Sequence, residues 1–343
     1  MAREQNFASD NQAGICPEAM AAMVTANGAG HVASYGEDRW TIELRDRLRS
    51  LFACPTAESF LVFNGTAANA LALSALCRPF EATICHAFSH IETDEAAAPE
   101  FFAGGGKLLT IDTPDAKLTA DGVEIMARRY EGFHHVRARV LSLTQSTELG
   151  TVYTLDELRQ LGAAARRAGL KVHMDGARFA NAVASLGCEP ADAAWKAGVD
   201  VLSFGATKNG LAFGEAVVFF DASLADAFAW RVKQTGQLAS KMRFAAAPWC
   251  ALLADGVWLR NASHANAMAR RLAEHVSRVP GVRLMHPVEA NAVFAEIPVA
   301  LQAALRAKGW LFYTFVGETG CRLMCAWDTT PETVDRFGAD MAD

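Results

Sequence analysis

Lys208 stands in the run Leu202-Ser203-Phe204-Gly205-Ala206-Thr207-Lys208-Asn209-Gly210, behind an apolar stretch and between two glycines. A lysine leaving a buried strand can have its amine pKa depressed enough to form a Schiff base with a carbonyl. The glycines would leave room for a ligand, although a solvated surface lysine is the plainer alternative. Asp175 ends a second apolar run, Val172-His173-Met174, and is followed by Gly176-Ala177-Arg178. A carboxylate in such a place needs a cationic partner. Arg178, about one helical turn on, could face the same cavity; otherwise the pair is an N-cap aspartate and a surface arginine.

Two further segments sit at comparable places. Asn64-Gly65-Thr66-Ala67 lies between an apolar run and an Ala/Leu-rich stretch. A glycine-led turn with small residues lets backbone N–H groups meet an anion at a helix N-terminus, or it is simply a tight connection. It is neither a P-loop nor G-x-G-x-x-G. In Ser89-His90-Ile91-Glu92-Thr93-Asp94-Glu95, His90 could stack on a planar ring, act as a base, or be an ordinary hydrogen-bonded loop histidine. Together, an anion turn, a stacking histidine, an aspartate able to hold a pyridinium N–H and a lysine are the parts that pyridoxal phosphate (PLP) needs.

The elements that must position these residues alternate apolar runs with helical patterns, which predicts crossover units and a mostly parallel sheet. Strands are expected at Phe60–Phe63, Thr83–Cys85, Arg139–Leu143, Lys171–Met174, Val199–Phe204 and Ala216–Phe220. Thr154-Leu-Asp-Glu157 has the form of a capping box opening a helix that ends near Gly169. The span from Ala222 to Val279 reads as helical, with Pro248 opening or kinking a helix. After Pro280-Gly281 come short strands at Val282–Met285, Val293–Ile297, Leu311–Phe315 and Cys321–Trp327, the texture of a smaller α+β domain. The four chemical segments then lie at strand ends, where open α/β sheets bind ligands.

Composition narrows the class. Of 343 residues 51% are hydrophobic and 20% charged, and the formal net charge is −6, so disorder and a nucleic-acid footprint are both excluded. The start, MAREQNFASDNQAG, has no apolar stretch behind its arginine, so no signal peptide is expected. Ser59 to Cys77 is uncharged, but Asn64, Gly65, Thr66 and Asn69 make it a strand, turn and helix rather than a membrane span. The eight cysteines are scattered with no Cys-x-x-Cys pair, which predicts reduced thiols in a cytoplasmic protein and no metal site.

The chain closely resembles the low-specificity L-threonine aldolases of the fold-type-I PLP-dependent enzymes, the group that also holds phenylserine aldolases. The resemblance rests on PheAlaSerAspAsn at 7–11, PheAsnGlyThrAlaAlaAsn at 63–69, HisIleGluThrAspGlu at 90–95, HisMetAspGlyAlaArgPhe at 173–179 and GlyAlaThrLysAsnGly at 205–210. GlnLeuAlaSerLysMetArgPhe at 237–244 and CysArgLeuMetCysAlaTrp at 321–327 extend it. Residues 205–210 depart from the Ser-Lys-Gly-Leu-Gly form of some branches.

The resemblance implies an α/β fold-type-I large domain with a mostly parallel sheet, over residues 21–260. It also implies a small C-terminal α+β domain at 261–343 and an N-terminal segment at 1–20 that contributes to the site. Lys208 is implied as the cofactor lysine, Asp175 as the partner of the pyridine nitrogen, and Gly65, Thr66 and Ala67 as the phosphate turn. His90 is implied over the ring and as base at the β-hydroxyl. Ser9, Arg178 and Arg322 resemble the carboxylate-binding trio, with Arg178 also beside the cofactor. Arg243 is similar to a phosphate-side arginine given by a neighbouring subunit, and His134, adjacent to His135, falls near a second substrate-side histidine. The implied activity is scission of L-threonine, L-allo-threonine or phenylserine-like substrates to glycine and an aldehyde. The implied assembly is a homodimer or homotetramer with sites at the subunit interface, without nucleic acid or membrane. Rival readings are β-elimination or transamination on the same scaffold, or a non-catalytic PLP-fold binding protein.

Overall fold

The computed structural model describes residues 6–129 and 132–343. Its main sheet holds β1 (Glu58–Val62), β2 (Glu81–His86), β3 (Lys107–Ile111), β4 (Arg137–Thr144), β5 (Lys171–Gly176), β6 (Val201–Phe204) and β7 (Glu215–Phe219), in the order β1-β7-β6-β5-β4-β2-β3. Strands β3, β2, β4, β5 and β6 pair in parallel, while β7 is antiparallel to both of its neighbours. The reversal follows from chain length. Residues 205–214 form a short turn, whereas a parallel return needs a crossover of roughly a dozen residues or more. That turn brings the start of β7 to the edge where β5 and β6 end.

β2, β6 and β7 are buried along their whole length, as expected for strands covered by helices on both faces. The expected capping box is present: the Thr154 hydroxyl accepts from Glu157 N, and the Glu157 carboxylate accepts from Thr154 N. Asn64 caps helix Gly65–Leu76, its Oδ1 accepting from Ala67 N at 2.9 Å. Helix Phe179–Leu186 stops at Gly187, whose φ of 59° suits a residue without Cβ. Pro248 lies inside helix Arg243–Leu253.

A second sheet, ordered β10-β11-β9-β8, is antiparallel throughout and comprises β8 (Arg283–Leu284), β9 (Ala292–Glu296), β10 (Tyr313–Val316) and β11 (Gly320–Met324). Helix Val257–Val276 enters both cores, with Val257, Trp258 and Ala262 in the large one and Met268, Leu272 and Val276 in the small one. The expected boundary at 260/261 therefore falls inside a continuous helix.

Phe7 is fully buried in the small core, 5.7 Å from the Trp310 ring and 5.1 Å from Phe337. Its N–H donates to Leu311 O, and its carbonyl accepts from Met324 N. Burial of that ring contributes roughly 1.5–3 kcal/mol. It anchors the chain just before Ser9, Asp10 and Asn11, which run towards the main sheet. Residues 1–5 of the expected N-terminal segment lie outside the described residues.

Candidate active site

A cavity of about 250 Å³ opens at the edge formed by the ends of β5 and β6 and the start of β7, lined by Gly65, Thr66, His90, Asp175, Lys208 and Glu215 among others. The structure thus brings together residues from four separate segments. A second, polar cavity of about 280 Å³ includes Ser9.

Both oxygens of Asp175 are held: Oδ1 accepts from Ala177 N at 2.9 Å and Oδ2 from Asn69 Nδ2 at 2.8 Å. Behind it, His173 is fully buried between the hydroxyls of Ser142 and Ser203, at 2.9 and 3.0 Å. Burial lowers its pKa to about 4, so that ring is neutral at physiological pH. His90 begins the short helix His90–Thr93, and its Nδ1 lies 2.8 Å from Glu95 Oε1. That hydrogen bond raises the His90 pKa against the opposing effect of burial.

Lys208 projects from the 3-10 turn Thr207–Asn209. The turn is fixed on three sides: Ala206 N donates to Glu215, Asn209 Nδ2 to Trp258 O, and Asn261 Nδ2 to Asn209 O. Burial, then the Arg178 charge, lowers the Lys208 pKa, which favours the free amine. Burial likewise raises Glu215. Of the flanking glycines, Gly205 lines the cavity, and because a Cβ on it would stand 2.6 Å from Ala177 Cα it also lets two backbone segments meet. Gly210 combines a φ of +112° with a Cβ position 3.0 Å from the Cys16 side chain. Gly65 differs, since a Cβ there would meet nothing within 4 Å.

Arg178 is not the partner of Asp175 that its spacing suggested. It donates from Nε and Nη2 to the two oxygens of Asp10, at 2.7 and 2.9 Å, and Asn291 Nδ2 donates to the same carboxylate. Burial alone would raise Asp10, but the Arg178 charge and hydrogen bonds outweigh it and hold the acid below its usual range. Arg322 donates to Ala8 O at 3.3 Å and lies over the Tyr313 and Phe315 rings, at 5.5 and 5.0 Å. Its Nε is buried without a hydrogen-bond partner. Burial and then the nearby Arg178 charge lower its pKa.

The remaining candidates are dispersed. The Ser9 hydroxyl accepts from Asn11 N at 3.2 Å and lines the second cavity rather than that of Lys208. Ala67 N is already engaged by the Asn64 cap, leaving the N–H groups of Gly65 and Thr66 as the open donors of the helix start. Arg243 opens helix Arg243–Leu253 outside the lining of this chain's own cavity, with its Nε buried and unpartnered. The structure does not bring His134 to the cavity. That residue is exposed, against Phe133, just before β4, at the edge of the sheet opposite the site. Sequence reasoning missed Asp10, Asn69, Glu148, Glu215 and Asn291, and passed over Glu95 as one acid among three. Asp10, Asn69 and Glu95 lie within the quoted motifs, but nothing in their spacing tells which partner each faces.

These residues fit PLP. A lysine with a lowered pKa, a doubly anchored carboxylate and an open helix N-terminus with nothing to fill the space at Gly65 converge on one cavity. A mostly parallel sheet carrying that set at its ligand-binding edge defines the fold-type-I PLP-dependent enzymes. Among solved structures, S. paucimobilis serine palmitoyltransferase with a bound PLP–myriocin adduct has the same fold, at 17% identity and a TM-score of 0.74, covering 98% of this chain and 86% of that one. Leishmania major threonine aldolase superposes with a TM-score of 0.92 at 29% identity, covering 98% of each chain. The low specificity L-threonine aldolase of Pseudomonas aeruginosa is 55% identical over 337 residues, 98% of this chain and 97% of that protein. The family model for beta-eliminating lyases matches residues 6–300, and the chain belongs to that family.

Proposed function

We propose that the protein is a PLP-dependent aldolase that cleaves Cα–Cβ of L-threonine and related β-hydroxy-α-amino acids to glycine and an aldehyde. The observation that carries this reading is His90 at the mouth of the Lys208–Asp175 cavity, with Nδ1 occupied by Glu95 and Nε2 left as a base. The kinship with threonine aldolases supports the choice of reaction.

PLP would supply, when bound, a sink for the electron pair left at Cα. Lys208 would hold the cofactor through its amine. Asp175 would keep the proton on the ring nitrogen, and the N–H groups of Gly65 and Thr66 would hold the phosphate. Arg322 grips the substrate carboxylate beside Arg178, and so fixes which bond at Cα is aligned for cleavage. His90 Nε2 takes the β-hydroxyl proton while Cα–Cβ breaks. Lys208 or a water then returns a proton to Cα.

In this reading residues 21–260 form the cofactor-binding domain and 261–343 the small one, with residues 1–20 reaching back into the site. The assembly is a homodimer or homotetramer in which a neighbouring chain supplies Arg243 to the phosphate. Its unpartnered buried Nε outside its own cavity supports that role. Eight free cysteines support a cytoplasmic location. Among the described residues no helix is long and apolar enough to cross a membrane.

The test is a panel of β-hydroxy amino acids assayed for glycine and aldehyde together. Equimolar release supports the reading. Keto acid with ammonia would point to elimination, and a colourless protein with no turnover to a binding role.

A further inference from the structure

Glu95 is an expensive residue to place where it is. Its side chain has no exposed surface, and its Oε2 is buried without a hydrogen-bond partner. Burying a carboxylate so incompletely paired is strongly unfavourable unless something is gained. Its Oε1 accepts a hydrogen bond from Asn69 Nδ2 at 2.9 Å and lies 2.8 Å from His90 Nδ1. The second hydrogen of the same Asn69 amide goes to Asp175 Oδ2 at 2.8 Å. Both amide hydrogens thus serve carboxylates, and flipping the amide would turn Oδ1 onto two acceptors. The orientation is fixed.

With Glu95 ionised its Oε1 can only accept, from His90 as from Asn69, so the imidazole proton sits on Nδ1. The Nε2 lone pair is then free. The chain turn that allows this is local. Helix His90–Thr93 stops at Asp94, whose φ of −142° and ψ of 28° swing Glu95 back beneath the ring. Asp94 itself is 83% exposed and 3.6 Å from Nε2, too solvated to compete.

We infer that Glu95 and Asn69 are positioning residues, Glu95 fixing the tautomer and basicity of His90 and Asn69 locking Glu95 to Asp175. This rests on the reading of His90 as the base at the β-hydroxyl. The proton balance follows. The hydroxyl O–H breaks, its proton forms Nε2–H, and the O–H pair becomes the aldehyde π bond as Cα–Cβ cleaves. The Nδ1 proton stays against Glu95 throughout. The groups that set the His90 titration are Asp94 and Glu95 on its own segment, Asp175 at the end of β5 and Lys208 on its 3-10 turn. Glu148, after β4, accepts from the His90 backbone N–H.

The experiment is an NMR titration of the holo protein labelled at histidine Cε1, with His90 assigned by loss of its signal in His90→Phe. Glu95→Gln should lower the His90 midpoint by about one pH unit. It should also lower kcat on L-threonine by on the order of 10²-fold with KM little changed, because the glutamine amide can drive the proton to Nε2. Glu95→Asp should restore most of the midpoint and part of kcat. An unchanged His90 midpoint in Glu95→Gln overturns the proposal. Should that variant not fold, Asn69→Ala serves. Losing the bond that favours ionised Glu95 should move the acid limb of kcat to higher pH, and an unmoved limb is equally contrary. The midpoint is read without turnover. Wild-type protein that releases no aldehyde would overturn the reading of His90 as base, and would be told apart from a failure of the Glu95 contact.

Discussion

Arg178 grips both carboxylate oxygens of Asp10 across 168 residues of sequence, and not the aspartate three positions before it. The consequence is electrostatic. With Arg178 compensated by Asp10, Arg322 is left with a buried Nε that lacks a hydrogen-bond partner and a guanidinium beside a second cation.

The Asp10 side chain is 1% exposed and that of Arg178 15%, so removing the carboxylate strands a largely buried guanidinium. Asp10→Ala should destabilise the protein by about 3–5 kcal/mol, the cost expected for breaking one side of a buried pair. Urea unfolding of wild type and variant measures it. A loss below about 1 kcal/mol would mean that the pair is worth no more than a surface contact.

Arg322→Lys should raise KM for L-threonine and lower kcat together. A lysine ammonium offers charge without the two parallel bonds that orient a carboxylate, so grip and alignment at Cα are lost at once. Keto-acid side products should rise relative to aldol cleavage. Steady-state kinetics with both products quantified would detect this, and an unchanged KM and product ratio would remove Arg322 from the clamp.

Glu148 gives a pH prediction. Burial, reinforced by the Asp175 charge, raises its pKa from 4.5 to about 7. Between those values the folded chain holds a proton that the unfolded chain releases, so stability falls as pH rises through that window. The loss is at most roughly 3 kcal/mol. Glu148→Gln keeps an oxygen for His90 N and Thr144 Oγ1, the two donors that Glu148 Oε1 now accepts from. Any fixed cost of its amide is pH-independent. The variant should therefore gain on wild type between about pH 5 and about pH 8 in urea unfolding. A stability difference that does not change with pH would refute it.

The sheet, the strand ends and the four chemical segments were legible because each depends on local pattern: an apolar run, a cap, a glycine-led turn. Lys208, Asp175, Gly65, Thr66 and His90 do meet at one edge. What the sequence hid is what lies between segments. Asn69 reaches Asp175 over 106 residues and Asp10 reaches Arg178 over 168, and spacing carries no information at that range. Spacing also misled. Arg178 lies one helical turn from Asp175 yet pairs with Asp10, and Gly210 faces the Cys16 and Asn261 side chains. His134 shares a residue type with the site but precedes its strand instead of following it.

Borohydride reduction of the holo protein, followed by mass spectrometry of its peptides, tests whether Lys208 holds the cofactor in the cavity with Asp175. The expected result is a single pyridoxyl adduct on Lys208, absent from Lys208→Ala, whose turnover falls with it. An adduct on a different lysine, or no adduct on a protein that still cleaves L-threonine, would contradict the account.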